Sequence, residues 1–116
     1  MNLDDAIKAH TNWKMTLTNY VRTPDRSLKA DVVGDFHKCD LGHWIDGEGT
    51  QFQNRQQFRD LKEAHECFHK SAADVIRRAD AGENVNSEVA LGGTSQYAQC
   101  SAKVISLLMA MKREKL

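Results

Sequence analysis

The sequence predicts an all-α chain: an antiparallel four-helix bundle with an irregular segment between the first and second long helices. Three observations predict it. Apolar residues recur at helical spacing over three long stretches, the only proline is Pro24, and β-branched runs are few. Three long helices and one broken connection are the parts of a four-helix bundle.

The first stretch places Leu3, Ala6, Ile7, His10, Trp13, Leu17, Tyr20 and Val21 on one face. Asn2 or Asp4 is the expected cap, and Pro24 should stop the helix near Arg22. Residues 24–51 are less regular. Val32, Val33 and Phe36 fall short of a helical period, and Gly34, Gly42, Gly47 and Gly49 interrupt the segment. A short helix or turn is expected there, then a compact turn from Cys39 to Trp44, then a loop. The second long stretch, Phe58, Leu61, His65, Phe68, Ala72, Val75, Ile76 and Ala79, has the clearest period and an end signal in Asp80-Ala81-Gly82. The last carries Tyr97, Cys100, Val104, Leu107, Leu108 and Met111, with Lys112 and Arg113 suited to a helix C-terminus. Gly92 and Gly93 should interrupt its start, so its regular part begins near Thr94.

At 116 residues the chain reads as one domain, 1–116. Its 41% apolar and 28% charged residues are the balance of a folded protein, not a disordered one. Sixteen basic residues offset sixteen acidic ones, which removes any electrostatic case for nucleic acid or an anionic membrane as partner. No apolar run approaches the roughly 20 residues that span a bilayer, and Met-Asn-Leu-Asp-Asp lacks the regions of a signal peptide. Three widely spaced cysteines are an odd number and argue against a disulfide framework. Metal ligation or free thiols in a cytoplasmic protein are the expectation.

Chemistry concentrates on five histidines and three cysteines. His65 and His69 are four residues apart, so on a helix they point within about 40° of each other and can chelate one ion. By the same arithmetic Cys67 points about 200° away from each, and is expected as a free thiol directed elsewhere. His10 lies within an apolar stripe and, taken alone, also reads as a hydrogen-bonded core histidine. Cys39, taken alone, also reads as a small apolar residue. Counted together, the four make a nitrogen and sulfur set of the kind zinc prefers in a tetrahedron. Trp13, Gly42 and Trp44 are expected around such an ion, the two indoles excluding water.

At these residues the sequence resembles a known family, the chemoreceptor zinc-binding domain of bacterial signalling proteins. The resemblance is carried by His10-Thr11-Asn12-Trp13-Lys14, Cys39-Asp40-Leu41-Gly42-His43-Trp44 and His65-Glu66-Cys67-Phe68-His69, at intervals of 29 and 26 residues between His10, Cys39 and His65. It extends over about residues 3 to 110. It implies a helical bundle, often a homodimer, with Zn²⁺ held by the residues matching His10, Cys39, His65 and His69. It also implies a regulatory role and no enzymatic activity: a sensor of zinc, or of oxidants such as hypochlorous acid through the ligand cysteine. The output would reach a chemotaxis or cyclic-di-GMP protein, here a chemoreceptor or diguanylate cyclase-like partner in trans. Independently of the family, a thiolate ligand in an irregular segment is the group that oxidants attack, and its oxidation would weaken one ligand in four.

Other readings compete. His65-Glu66-Cys67-Phe68-His69 also fits the His-Glu-x-x-His pattern of zinc metallohydrolases, with Glu66 as general base. Against it, the best further ligands lie upstream and would close the coordination sphere. Glu66-x-x-His69 fits one half of a di-iron motif, which needs a second such step. A metal-free helical adaptor would use the histidines for packing. His37 and His43 flank Cys39 as solvated turn residues or substitute ligands, and Cys100 lies on a core stripe.

Overall fold

A computed structural model describes residues 2–89 and 94–114. Among these the chain is all-helical: α1 (Leu3–Arg22), α2 (Ala30–Val33), α3 (Asp40–Asp46), α4 (Gln56–Asp80) and α5 (Gln96–Arg113), with 3₁₀ turns at Glu48–Phe52 and Asn86–Glu88.

Local chemistry explains most boundaries. The Asn2 side chain accepts a hydrogen bond from the Asp5 N–H, so Asn2 and not Asp4 caps α1. The helix ends at Arg22, two residues before Pro24, as Pro restricts the residue preceding it. α4 ends at Asp80, and Gly82 just beyond it takes a φ of 88° that is costly for a residue with a Cβ. There the Glu83 N–H reaches the Arg78 carbonyl and the Gly82 N–H reaches that of Ala79, a paired closure that satisfies two terminal carbonyls. Ser95 caps α5 by accepting from the Ala98 N–H, one residue beyond the start expected at Thr94. Gly92 and Gly93, the expected interruption, lie outside the described residues.

The segment between α1 and α4 is more ordered than its glycines suggest. The expected turn at Cys39–Trp44 is the helix α3, and the expected loop after it holds a 3₁₀ turn. Glycine was the misleading signal. A Cβ on Gly42 would lie 2.0 Å from the Phe36 carbonyl oxygen, so this glycine marks a close backbone approach and not a break.

α4 packs against α1, α2 and α5, and α5 packs in turn on α1. Leu17, Leu61, Phe68, Ile76, Val104 and Leu108 are essentially sealed from solvent where these helices meet. Contacts at the helix ends set the directions. Tyr20 donates its hydroxyl to Asp80 at 2.6 Å, joining the ends of α1 and α4, and Asp4 pairs with Lys112, joining the start of α1 to the end of α5. α1 and α4 therefore run the same way, and α5 runs back between the same ends. No helix among the described residues is long and apolar enough to cross a membrane.

Candidate metal centre

Four side chains converge where α1, the start of α3 and the middle of α4 meet. His10, Cys39, His65 and His69 each offer one donor atom, and the four atoms lie within 4.8 Å of one another. His10 comes from the buried stripe of α1, and His65 and His69 from successive turns of α4, with ring centroids 4.5 Å apart. Cys39 is the residue before α3. Its Sγ accepts from the Gly42 N–H at 3.4 Å, so the sulfur caps the helix while facing the imidazoles.

Backbone carbonyls orient two of the rings. His10 Nδ1 lies 2.8 Å from the Ala6 carbonyl oxygen, and His69 Nδ1 lies 2.8 Å from that of Val33 in α2. A carbonyl only accepts, so each Nδ1 carries the proton and each Nε2 keeps its lone pair for the cluster. Cys39 Sγ is 3.1 Å from His65 Nε2 and 3.6 Å from His69 Nε2. A tetrahedron with zinc's usual bond lengths has sulfur–nitrogen edges of roughly 3.6 Å and nitrogen–nitrogen edges of roughly 3.3 Å. The donor set and its spacing thus fit a tetrahedral zinc ion after side-chain shifts of about an ångström.

Burial also prepares the donors electrically. All three imidazoles are buried, and desolvation is the main cause that lowers their pKa values. His65 is pushed to about 3, first by desolvation and then by the neighbouring His69 and His10. Burial raises the Cys39 thiol, opposed by the N–H groups of Gly42 and Leu41. At neutral pH the metal-free cluster is three neutral imidazoles and one thiol, so only the sulfur has a proton to give up.

The surroundings sort the remaining candidates. Gly42 touches the site through its N–H, and Trp44 lines a groove of about 700 Å³ that opens beside His10 and Cys39. Trp44 is held there between Phe52 and Phe58, whereas Trp13 is half-buried on the apolar core. His37 and His43 are exposed, and His37 pairs with Asp46 at 2.6 Å. Glu66 pairs with Lys70 at 2.7 Å and is not in the donor cluster. Phe68, read from the sequence only as core, lies edge-on to His10 and His69 at 5.4 and 5.3 Å between centroids. The Val33 carbonyl had no sequence signal, since backbone acceptors are common to every residue.

One expectation is overturned. Cys67 is not a free thiol but is bonded to Cys100, and this pair is a disulfide in a chain where none was expected. The offset that turns Cys67 away from the cluster turns it toward α5, where Cys100 sits with a Cα–Cα distance of 5.9 Å, well within bridging range. An odd cysteine count carries no information about which helices pack together.

No curated protein and no solved structure matches the chain. A family model described as the chemoreceptor zinc-binding domain matches residues 10–76, which is more than half of the chain and contains all four clustered donors. The chain therefore belongs to the chemoreceptor zinc-binding domain family.

Proposed function

We propose that the chain is a regulatory zinc-binding module and not an enzyme, with His10, Cys39, His65 and His69 as the ligands. The observation that carries this reading is the convergence of four nitrogen and sulfur donors, from α1, α4 and the residue that caps α3, within 4.8 Å. Bound zinc would neutralise the Cys39 thiolate and tie α1, α3 and α4 together at one point. In this reading residues 1–116 are one domain, an antiparallel four-helix bundle whose second member is the broken stretch holding α2 and α3.

The stimulus is zinc itself or an oxidant. Cys39 is half-buried beside the groove, which gives small oxidants such as hypochlorous acid a path to its sulfur. Oxidation there weakens a ligand that is also the N-cap of α3, so loss of the metal and loosening of α3 are one event. The module acts in the cytoplasm as a homodimer and passes its state to a chemoreceptor or diguanylate cyclase-like partner in trans. Family membership supports that output. The hydrolase reading is disfavoured by Glu66, which is engaged with Lys70 and outside the cluster, and by four protein ligands that leave no position for water.

Metal analysis with X-ray absorption tests the proposal. One zinc per chain in a three-nitrogen, one-sulfur shell is expected, with the sulfur contribution lost in Cys39→Ser and the ion released by stoichiometric hypochlorous acid. A shell of oxygen ligands, or Cys39→Ser binding zinc as the parent does, would refute it.

A further inference from the structure

The candidate metal centre leaves two cysteine sulfurs unused, and they are joined to each other. We infer that Cys67 and Cys100 form a reversible thiol–disulfide couple, separate from Cys39, whose closure clamps α4 to α5 and slows loss of the ion held by α4. The effect on the ion rests on the zinc reading above. The couple itself does not.

Placement makes the bond easy to form and easy to reach. The Cα atoms are 5.9 Å apart, so neither helix has to unwind for the sulfurs to bond or to part. Both residues are half-buried. Cys67 lines a groove of about 590 Å³ together with Lys70, Ser71 and Gln96, and the Gln96 amide lies 3.6 Å from its sulfur. Disulfides that solvent-borne thiols can reach exchange readily, unlike bonds sealed in a core.

The couple is also insulated from the metal-binding sulfur. Cys39 Sγ lies 3.1 and 3.6 Å from His65 and His69, on the face of α4 that those rings occupy. Cys67 points about 200° away around the same helix, so the body of α4 stands between the two sulfurs. The two sides of α4 therefore face different sulfur chemistries, its own Cys67 on one and Cys39, from the start of α3, on the other.

Packing links the clamp to the metal centre. Tyr97 is three residues before Cys100 on α5 and stacks on Phe68, with centroids 5.6 Å apart. Phe68 in turn lies against His10 and His69. Fixing α5 against α4 at this level holds that stack in place. The bond also closes a chain loop with a sequence separation of 33, which removes conformational freedom from opened states of the α4–α5 pair.

The oxidant class is a peroxide. The Cys67 thiolate attacks one peroxide oxygen; a sulfur–oxygen bond forms, the oxygen–oxygen bond breaks, and hydroxide or alkoxide leaves. The Cys100 thiolate then attacks that sulfur, forming the disulfide and expelling hydroxide, which takes up a proton to give water. Two thiols lose two electrons and one peroxide gains them. A dithiol reductant reverses the reaction by two exchange steps.

The test compares the fully reduced parent chain with the same chain after hydrogen peroxide, zinc-loaded and zinc-free, with Cys67→Ala alongside. Peptide mapping is expected to find the 67–100 link after peroxide and to lose it after dithiothreitol without denaturant. The oxidised parent should melt on the order of 10 °C higher than the reduced one, with or without zinc. Zinc transfer to a chelator should be roughly threefold to tenfold slower in the linked form, and Cys67→Ala should show neither change. Free thiols at 67 and 100 after peroxide, a link from either to Cys39, or a bond that dithiothreitol opens only in denaturant would overturn the couple. A raised melting point with unchanged zinc transfer would overturn the clamp on the ion. Failure of every form to bind zinc would instead defeat the functional proposal and leave the mapping and melting results to decide the couple.

Discussion

Replacing Gly42 by alanine tests how tightly the cysteine ligand is positioned. The new Cβ would stand 2.0 Å from the Phe36 carbonyl oxygen and 3.0 Å from both the Phe36 carbonyl carbon and His37 Cα. All three are backbone atoms, so no side chain can rotate away. A comfortable carbon–oxygen contact is about 3.3 Å, so the turn before α3 and α3 itself must separate by roughly 1.3 Å. Cys39 lies between them, with its sulfur 3.1 Å from His65 and held by the Gly42 N–H. A displacement of that size is several times the roughly 0.2 Å by which a metal–ligand distance can depart from its usual value. Overpacking of this kind costs about 1–3 kcal/mol, which at about 1.4 kcal/mol per tenfold corresponds to a loss of zinc affinity between fivefold and a hundredfold. Gly47→Ala is the control, since its Cβ would meet one atom, the His43 carbonyl oxygen, at 3.1 Å. Chelator competition gives the zinc affinity, and urea unfolding of the zinc-free protein gives the stability. The reasoning fails if Gly42→Ala matches the parent within twofold in affinity and about 0.5 kcal/mol in stability.

Three further outcomes follow from the site and the fold. Zinc binding should release about one proton per ion at pH 7, where burial favours neutral histidines and a protonated Cys39 thiol, and the release should rise less on going to pH 6 than ordinary imidazoles would make it. Calorimetry in buffers of different ionisation enthalpy measures this, and ordinary imidazoles would add about two protons at pH 6. The zinc-free protein should lose stability as pH falls. Its three histidine pKa values lie below the unfolded value of 6.5, so the unfolded chain binds more protons from that pH downward, with His65 contributing to about 3. The loss reaches about 1.4 kcal/mol per pH unit for each histidine still neutral in the fold, and a flat urea midpoint between pH 7 and pH 5 would contradict it. Finally, Arg26 adopts a φ of 64° on an exposed turn, so Arg26→Gly should leave stability unchanged or raise it by up to about 1 kcal/mol. A clear drop in melting temperature would show that the arginine side chain contributes more than its backbone strain removes.

The amino-acid sequence by itself determined what depends on near neighbours. Helical periods, a cap at Asn2 or Asp4, the stop before Pro24 and the shared face of His65 and His69 are all set within a few residues, where backbone sterics and helix pitch leave little choice. The ordered motif around His10, Cys39 and the histidine pair was legible for a different reason, because its residues and its intervals of 29 and 26 resemble those of a known family. Tertiary structure decided whatever needs distant segments to meet. That Val33 orients His69, that Phe36 obliges position 42 to be glycine, and that Cys67 finds Cys100 all depend on how helices pack, which no local period encodes. Backbone carbonyls carry no residue signature, and a cysteine's partner is set by which helix lies across from it.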